Sequence, residues 1–121
     1  MIEIEARPPH AIIYVSDPNN KMEDIPKYQQ GKLVAATDTC ISIGTIAPMD
    51  GAVAIRLVNN GCPTEGIRVF DGRIKTPSHE LAVSTSELEV LARVSVVSDK
   101  IHLCICVDDE REPTQITVCW K

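Results

Sequence analysis

One stretch, residues 101–107, contains the residue types that most readily do chemistry. His102, Cys104 and Cys106 alternate there with apolar residues, so a strand would place all three on one face. Imidazole nitrogen and thiolate sulfur bind zinc at bond lengths of about 2.0–2.3 Å. Alternate residues on one strand face lie about 6.5–7 Å apart, so His102 and Cys106 are badly placed to share an ion. We therefore expect core packing, with no metal and no cofactor.

The other face of the same stretch predicts where the core lies. It carries only aliphatic residues, namely Ile101, Leu103, Ile105 and Val107. Cysteine is itself among the most often buried residue types. The pattern therefore predicts a strand in the middle of a sheet, covered on both faces, with Leu103 and Ile105 essentially buried.

The five cysteines indicate thiols in a reducing compartment. They are Cys40, Cys62, Cys104, Cys106 and Cys119, an odd number with no Cys-x-x-Cys pair. Cys104 and Cys106 are too far apart on one strand to form a disulfide. A bridge between Cys106 and Cys119 across a hairpin stays open, although a reducing pool would keep it broken. We expect a cytoplasmic protein of bacterial type.

An acidic run follows this stretch at once and is the main candidate for binding. Asp108, Asp109, Glu110 and Glu112 surround a single Arg111, and Glu87 and Glu89 add charge elsewhere. One interpretation is a solvated hairpin connection. Another is a charged rim that engages a basic protein surface, such as the groove of a nuclease. A calcium site is a third, although no Asp-x-Asp spacing supports it.

Catalytic motifs are absent from the sequence. Gln30-Gly31-Lys32-Leu33 lacks the upstream glycine and the Ser or Thr of a phosphate-binding loop, and no Gly-x-Ser-x-Gly occurs. The three histidines, His10, His79 and His102, lie in separate segments. The sequence leaves the question of an enzyme open but favours a non-enzymatic protein. The alternative is a small-molecule-binding protein or small enzyme, with its site between the sheets or at the loop ends.

Composition restricts both the class of protein and the kinds of partner that it can bind. The chain has 121 residues, 44% hydrophobic and 24% charged, which predicts a single folded domain over residues 1–121. A net charge of −5 disfavours binding to nucleic acid or to an anionic membrane and is compatible with a basic protein partner. No apolar run approaches the roughly 20 residues of a membrane span. The acidic, alternating start Met1-Ile2-Glu3-Ile4-Glu5 does not predict a signal peptide.

The elements that must position these residues are strands. Period-2 alternation between turn signals predicts about eight, at 10–15, 33–43 with a break near Thr37-Asp38, 52–58, 66–74, 80–85, 91–97, 101–107 and 114–120. Asn59-Asn60-Gly61 is a strong turn signal, and Asp71-Gly72 indicates a bulge or an early turn. One or two short helices at most are expected, one of them within 22–30, and 86–90 is a polar link. This pattern predicts an all-β, antiparallel β-sandwich.

The order of segments resembles that of the small bacterial competence-J-type proteins, whose characterised function is nuclease inhibition. The resemblance covers roughly residues 12–107. It rests on a polar segment ending at Gly31, on Ala35-Ala36-Thr37-Asp38 leading to Ile41-Ser42-Ile43, on Ala54-Ile55-Arg56-Leu57-Val58-Asn59, and on 91–106 with its Asp99-Lys100 turn. It implies a non-enzymatic protein-binding module, an inhibitor or immunity-like factor that acts on a nuclease or another basic partner. Its oligomeric state stays open.

Overall fold

Alternating apolar and polar residues form ten strands in the computed structural model, which describes residues 2–27, 31–61 and 66–121. The strands are β1 (Ile2–Ala6), β2 (Ile12–Ser16), β3 (Val34–Ala36), β4 (Cys40–Gly44), β5 (Val53–Asn59), β6 (Ile67–Lys75), β7 (Glu80–Thr85), β8 (Val90–Ser95), β9 (Lys100–Val107) and β10 (Gln115–Trp120). Sheet I has the order β1-β5-β10-β9-β6, and sheet II has the order β3-β4-β2-β7-β8. The predicted all-β class is confirmed.

The two sheets share one hydrophobic core. Sheet I contributes residues such as Ile55, Leu103 and Ile105, and sheet II contributes residues such as Ile13 and Ile41, all with no exposed surface. The core is almost entirely aliphatic, because period 2 sends every second Val, Ile or Leu to the inner face of its strand. The predicted burial of Leu103 and Ile105 is confirmed.

Strand β9 lies inside sheet I but not at its centre. It pairs antiparallel with β10 on one side and with the edge strand β6 on the other, so β10 is the central strand. Its Cys104 and Cys106 lie on the outer face of the sheet and are only 3% and 4% exposed. The inner face of β9 is therefore covered along the strand, whereas its outer face is buried at Cys104 and Cys106 and exposed at Lys100 and His102, so the predicted coverage of both faces holds only in part.

The strand count exceeds the prediction by two. The break at Thr37-Asp38 separates β3 from β4, which pair with each other. The other additional strand is β1, which pairs antiparallel with β5 and packs Ile4 against the core. The alternation of Ile and Glu at the start of the chain was already a strand signal, but two isoleucines on an edge strand make it a weak one.

One strand pair corrects the expectation of a purely antiparallel fold. Strands β5 and β10 run parallel, in register from Ala54 opposite Gln115 to Asn59 opposite Trp120. Apolar alternation has the same period in either direction, so a sequence pattern cannot distinguish parallel from antiparallel neighbours.

The irregular segments agree only in part with the predictions. Two short 3₁₀ helices, Pro9–Ala11 and Met22–Asp24, occur in the described residues, and the predicted helical segment extends to positions 28–30, which lie outside them. The bulge in β6 lies between Arg68 and Phe70 rather than at Asp71-Gly72. No helix among the described residues is both long and apolar enough to span a membrane.

Candidate functional site

Four connections meet at one end of the molecule. Ala11 accepts a hydrogen bond from the Thr45 amide (2.9 Å), and Pro113 accepts one from the Ile46 amide (3.0 Å). The Ser86 hydroxyl donates to the carbonyl oxygen of Pro9 (3.3 Å). These bonds join the connections β1–β2, β4–β5, β7–β8 and β9–β10 into one surface.

This surface, here named the acidic end, collects exposed carboxylates from three of the four connections. They are Asp50, Glu87, Glu89, Asp108, Asp109, Glu110 and Glu112. The basic residues at this end include Arg7, which donates to the carbonyl oxygen of Pro48 at 2.9 Å, and Arg111, together with the exposed His10 and Lys32. The fold thus brings Glu87 and Glu89 to the same end as the acidic run.

The four predicted binding residues divide into two pairs. Asp108 Oδ1 accepts hydrogen bonds from the amides of Thr114 and Gln115, each at 2.9 Å, and its Oδ2 accepts one from the Thr114 hydroxyl. Asp109 Oδ1 accepts hydrogen bonds from the amides of Arg111 (2.8 Å) and Glu112 (2.9 Å). Both Asp side chains therefore shape the loop, which the sequence reading did not anticipate.

The pKa values of these two aspartates follow from their hydrogen bonds. Burial raises the pKa of Asp108, but the bonds from Thr114 and Gln115 outweigh it and the net pKa is lowered. The amides of Glu112 and Arg111 lower the pKa of Asp109. Hydrogen bonds to a carboxylate favour its charged form, so both groups stay ionised throughout the neutral range.

Glu110 and Glu112 are the pair that remains available to a partner. Both are exposed, and neither side chain forms a hydrogen bond or ion pair with the residues that the structure describes. Their backbone is held by Asp109 and by the strand ends on either side. The loop therefore presents two free carboxylates from a fixed backbone.

The cysteines predicted as core residues lie on the outer face of sheet I. Cys104, Cys106 and Cys119 form a small buried cluster with Val58. Cys119 is opposite Cys104, whereas Cys106 is opposite Thr117. The sequence left open a disulfide between Cys106 and Cys119. The strand register does not place these two cysteines opposite each other.

His102 is the exposed member of this face. Its Nε2 contacts Asp71 Oδ1, and Arg68 lies 3.2 Å from the other oxygen of the same carboxylate. The hydrogen bond from His102 lowers the pKa of Asp71, with Arg68 acting in the same direction. Within residues 2–27, 31–61 and 66–121, no group of three or more His, Cys, Asp or Glu side chains has an arrangement that could hold a metal ion.

A pocket of about 140 Å³ lies on the outer face of sheet II and was not foreseen from the sequence. Strand residues Tyr14, Ser16, Cys40, Ala82 and Ser84 line it on the sheet side. The rest of the lining comes from the connection after β2, from the β7–β8 connection and from the start of β8, namely Asp17, Pro18, Asn20, Ile25, Leu88 and Val90. Burial raises the pKa of the Cys40 thiol to about 12, and burial also raises that of Tyr14, so both are neutral at physiological pH. We name this space the hairpin pocket.

Asp17 adjoins the hairpin pocket as a buried carboxylate. It is 2% exposed, and its oxygens accept the amides of Asn19 (2.8 Å) and Ser78 (2.7 Å). The hydrogen bond from the Asn19 amide could have been predicted from Asp17-Pro18-Asn19, because Asp commonly accepts a bond from the amide two residues ahead. The hydrogen bond from the Ser78 amide joins residues 61 positions apart in the chain, so it could not have been predicted from the sequence.

Comparison with known proteins identifies one fold relationship. No family model and no curated protein sequence matches the chain. The crystal structure of ComJ from Bacillus subtilis, inhibitor of the DNA degrading activity of NucA, is similar with a TM-score of 0.61. The similarity covers 99% of this chain and 94% of that chain at 12% sequence identity. At that identity the comparison shows a common fold.

Proposed function

We propose that this chain is a non-enzymatic protein-binding module that inhibits a nuclease, and that it engages a basic surface of that enzyme through the acidic end. The observation that carries the proposal is a fold like that of the nuclease inhibitor ComJ over 99% of the chain. The acidic end supports it, because a groove that binds phosphates is lined with Lys and Arg.

The geometry of the acidic run suits that role. Asp108 and Asp109 hold the backbone by hydrogen bonds, while Glu110 and Glu112 remain exposed. A carboxylate held in place loses less conformational freedom on binding than one on a mobile loop. Complementary charge also raises the association rate and suppresses wrong partners.

The proposal extends to the cellular location, the origin and the architecture of the protein. We place the protein in the cytoplasm of a bacterium, as a β-sandwich whose two sheets enclose the common core. The support is that the cysteines of the described residues are buried thiols, which a reducing compartment preserves. The bacterial origin rests on the source of ComJ and on the segment order described above.

A titration of DNA degradation tests the function. The nuclease most similar to NucA in the same genome would be mixed with increasing amounts of this protein, and DNA cleavage would be followed by fluorescence. We expect cleavage to stop near an equimolar ratio if binding is tight. Undiminished cleavage at a hundredfold excess, with no complex in size-exclusion chromatography, would refute the proposal.

A further inference from the structure

Leu88 adopts a backbone conformation that a leucine rarely takes. It lies in the connection between β7 and β8 with φ of 64°, in the left-handed region where Gly or Asn is usual. The Leu88 amide donates to the carbonyl oxygen of Thr85 (2.9 Å), and the Thr85 hydroxyl accepts the amides of Glu87 and Glu89 (3.3 Å each). The turn therefore holds Leu88 in a conformation that its side chain disfavours.

The side chain of Leu88 is also largely exposed. It is 54% exposed, and Val90 two residues later is 49% exposed. Folding gains little from either apolar group in this position, because burial is what makes an apolar side chain stabilising. A leucine that is unfavourable for the backbone and scarcely buried is better explained by a contact with another molecule.

The hairpin pocket beside Leu88 is suited to an uncharged apolar group. Its sheet side consists of Tyr14 and the small residues Ser16, Cys40, Ala82 and Ser84, and Ile25 lines it from the connection after β2. Among the described residues that line it, Asp17 alone is charged, and it is 2% exposed and accepts hydrogen bonds from two backbone amides. Little of the Asp17 carboxylate surface therefore faces the pocket, whereas an apolar side chain would contact Ile25, Leu88 and Val90.

The charges outside the pocket indicate what should flank that apolar group. Glu87 and Glu89 stand on either side of Leu88 and are exposed. The Ser86 hydroxyl binds the Pro9 carbonyl oxygen, which connects this turn to the acidic end. A basic partner that covers the acidic end would therefore also reach the pocket.

We propose that the hairpin pocket is a docking site for an apolar side chain, flanked by Lys or Arg, on the basic protein partner. This inference rests on the proposed function and adds to it a second contact, in which Leu88 is an apolar anchor beside the acidic end. Buried apolar anchors carry most of the affinity in protein interfaces, while the charged rim sets rate and specificity.

Leu88→Gly is a decisive variant because it should weaken binding without destabilising the fold. Glycine accepts the left-handed conformation, so the melting temperature should stay the same or rise. The dissociation constant for the nuclease should increase tenfold or more, because the anchor is lost. The matched control is Val97→Ser, which removes another exposed apolar residue (95% exposed) beyond the far end of β8 and should leave affinity unchanged. Inhibition by Leu88→Gly equal to that by wild type would overturn the inference and leave the proposed function standing.

A peptide titration tests the pocket independently of any nuclease. Amide chemical shifts of the labelled protein would be followed with a pentapeptide that has two basic residues on each side of a leucine, and with the same peptide carrying serine instead. We expect only the leucine peptide to move the amides of Ser84, Leu88 and Val90 saturably, and Leu88→Gly to abolish the effect. Equal shifts from both peptides, or none, would overturn the inference. So would a wild-type dimer that Leu88→Gly dissociates, because the occupant would then be a second copy of this chain.

Discussion

The carboxylates of this protein have two different roles, and hydrogen-bond partners decide between them. Asp17, Asp108 and Asp109 each accept two or more bonds and fix the path of the backbone. Glu110 and Glu112 are exposed without such bonds in the described residues. Asp17 and Asp109 each bond an amide two residues ahead, as short Asp side chains commonly do, and Asp108 bonds the amides of Thr114 and Gln115 across the loop. Within the acidic run, two consecutive aspartates therefore shape the loop, and the two glutamates that follow are exposed.

At the residue scale, Asp108 should make stability depend on pH. Its folded pKa is lowered, so the unfolded chain takes up the proton first, and the stabilisation is complete above the ordinary Asp pKa of about 3.9. It is lost as pH falls through the lower folded pKa. Asp108→Asn keeps an acceptor oxygen but cannot titrate, so the decline in stability below pH of about 4 should become shallower.

Urea denaturation at a series of pH values measures this effect. Asp108→Ala should lower the free energy of unfolding at pH 7 by about 1 kcal/mol, since it loses the bonds altogether. Asp50→Asn, which removes one exposed carboxylate from the same end, controls for the change in net charge. Identical pH curves for wild type and Asp108→Asn would mean that Asp108 contributes nothing to this dependence.

At the element scale, β9 links the core to the acidic run. Its inner face packs Leu103 and Ile105 against sheet II, and its last residue, Val107, leads directly into Asp108. Hydrogen bonding to both β10 and β6 fixes the strand along its length. The exposed loop is therefore anchored by one of the best-packed strands of the fold.

Leu103→Ala should reveal how much this strand contributes to stability. Removal of a fully buried leucine side chain costs transfer free energy and leaves a cavity, so the free energy of unfolding should fall by about 2–5 kcal/mol. The change can be measured by chemical denaturation. Val97→Ala is the surface control and should change stability by less than about 0.5 kcal/mol. A loss of less than 1 kcal/mol in Leu103→Ala would contradict the assigned packing of β9.

At the scale of the whole molecule, the fold gathers carboxylates from separate connections onto the acidic end. The connections at the acidic end carry seven exposed carboxylates. The far end includes Asp38 and Asp99, whose carbonyl oxygens accept the amides of Lys75 and Thr76. Charges gathered on one surface act together on an approaching protein over about one Debye length, near 8 Å at physiological ionic strength.

Neutralising the exposed pair should therefore slow association more than it weakens the fold. Glu110→Gln with Glu112→Gln should lower the association rate with the nuclease several-fold at low salt and reduce its salt dependence. Stopped-flow or surface plasmon resonance would measure the rates. Asp38→Asn with Asp99→Asn removes the same charge from the far end and should leave the rate nearly unchanged. Equal rates for both double variants at low salt would show that net charge alone matters, and that the acidic end is a solvated surface.

The sequence by itself determined the features that depend on local periodicity and on the cost of burying charge. Alternation placed seven of the eight predicted strands close to observed ones and identified Leu103 and Ile105 as core residues. The eighth prediction, 33–43, covers β3 and β4 and already included the break between them. The Asn59-Asn60-Gly61 turn follows from residues that accept positive φ, and Asn60 has φ of 58°. The acidic run could be assigned to the surface because four carboxylates within five residues cannot be buried without partners.

Tertiary structure alone decided which distant segments meet. The parallel pairing of β5 with β10, the bond from Ser78 to Asp17, and the position of Glu87 and Glu89 at the same end as residues 108–112 all depend on contacts between segments far apart in the chain. Local periodicity has no information about such contacts, because the same alternation fits either strand direction and any neighbour. The exposed, left-handed Leu88 is the clearest example. Its sequence environment is an ordinary polar link, and only the folded turn shows a leucine where glycine would be easier.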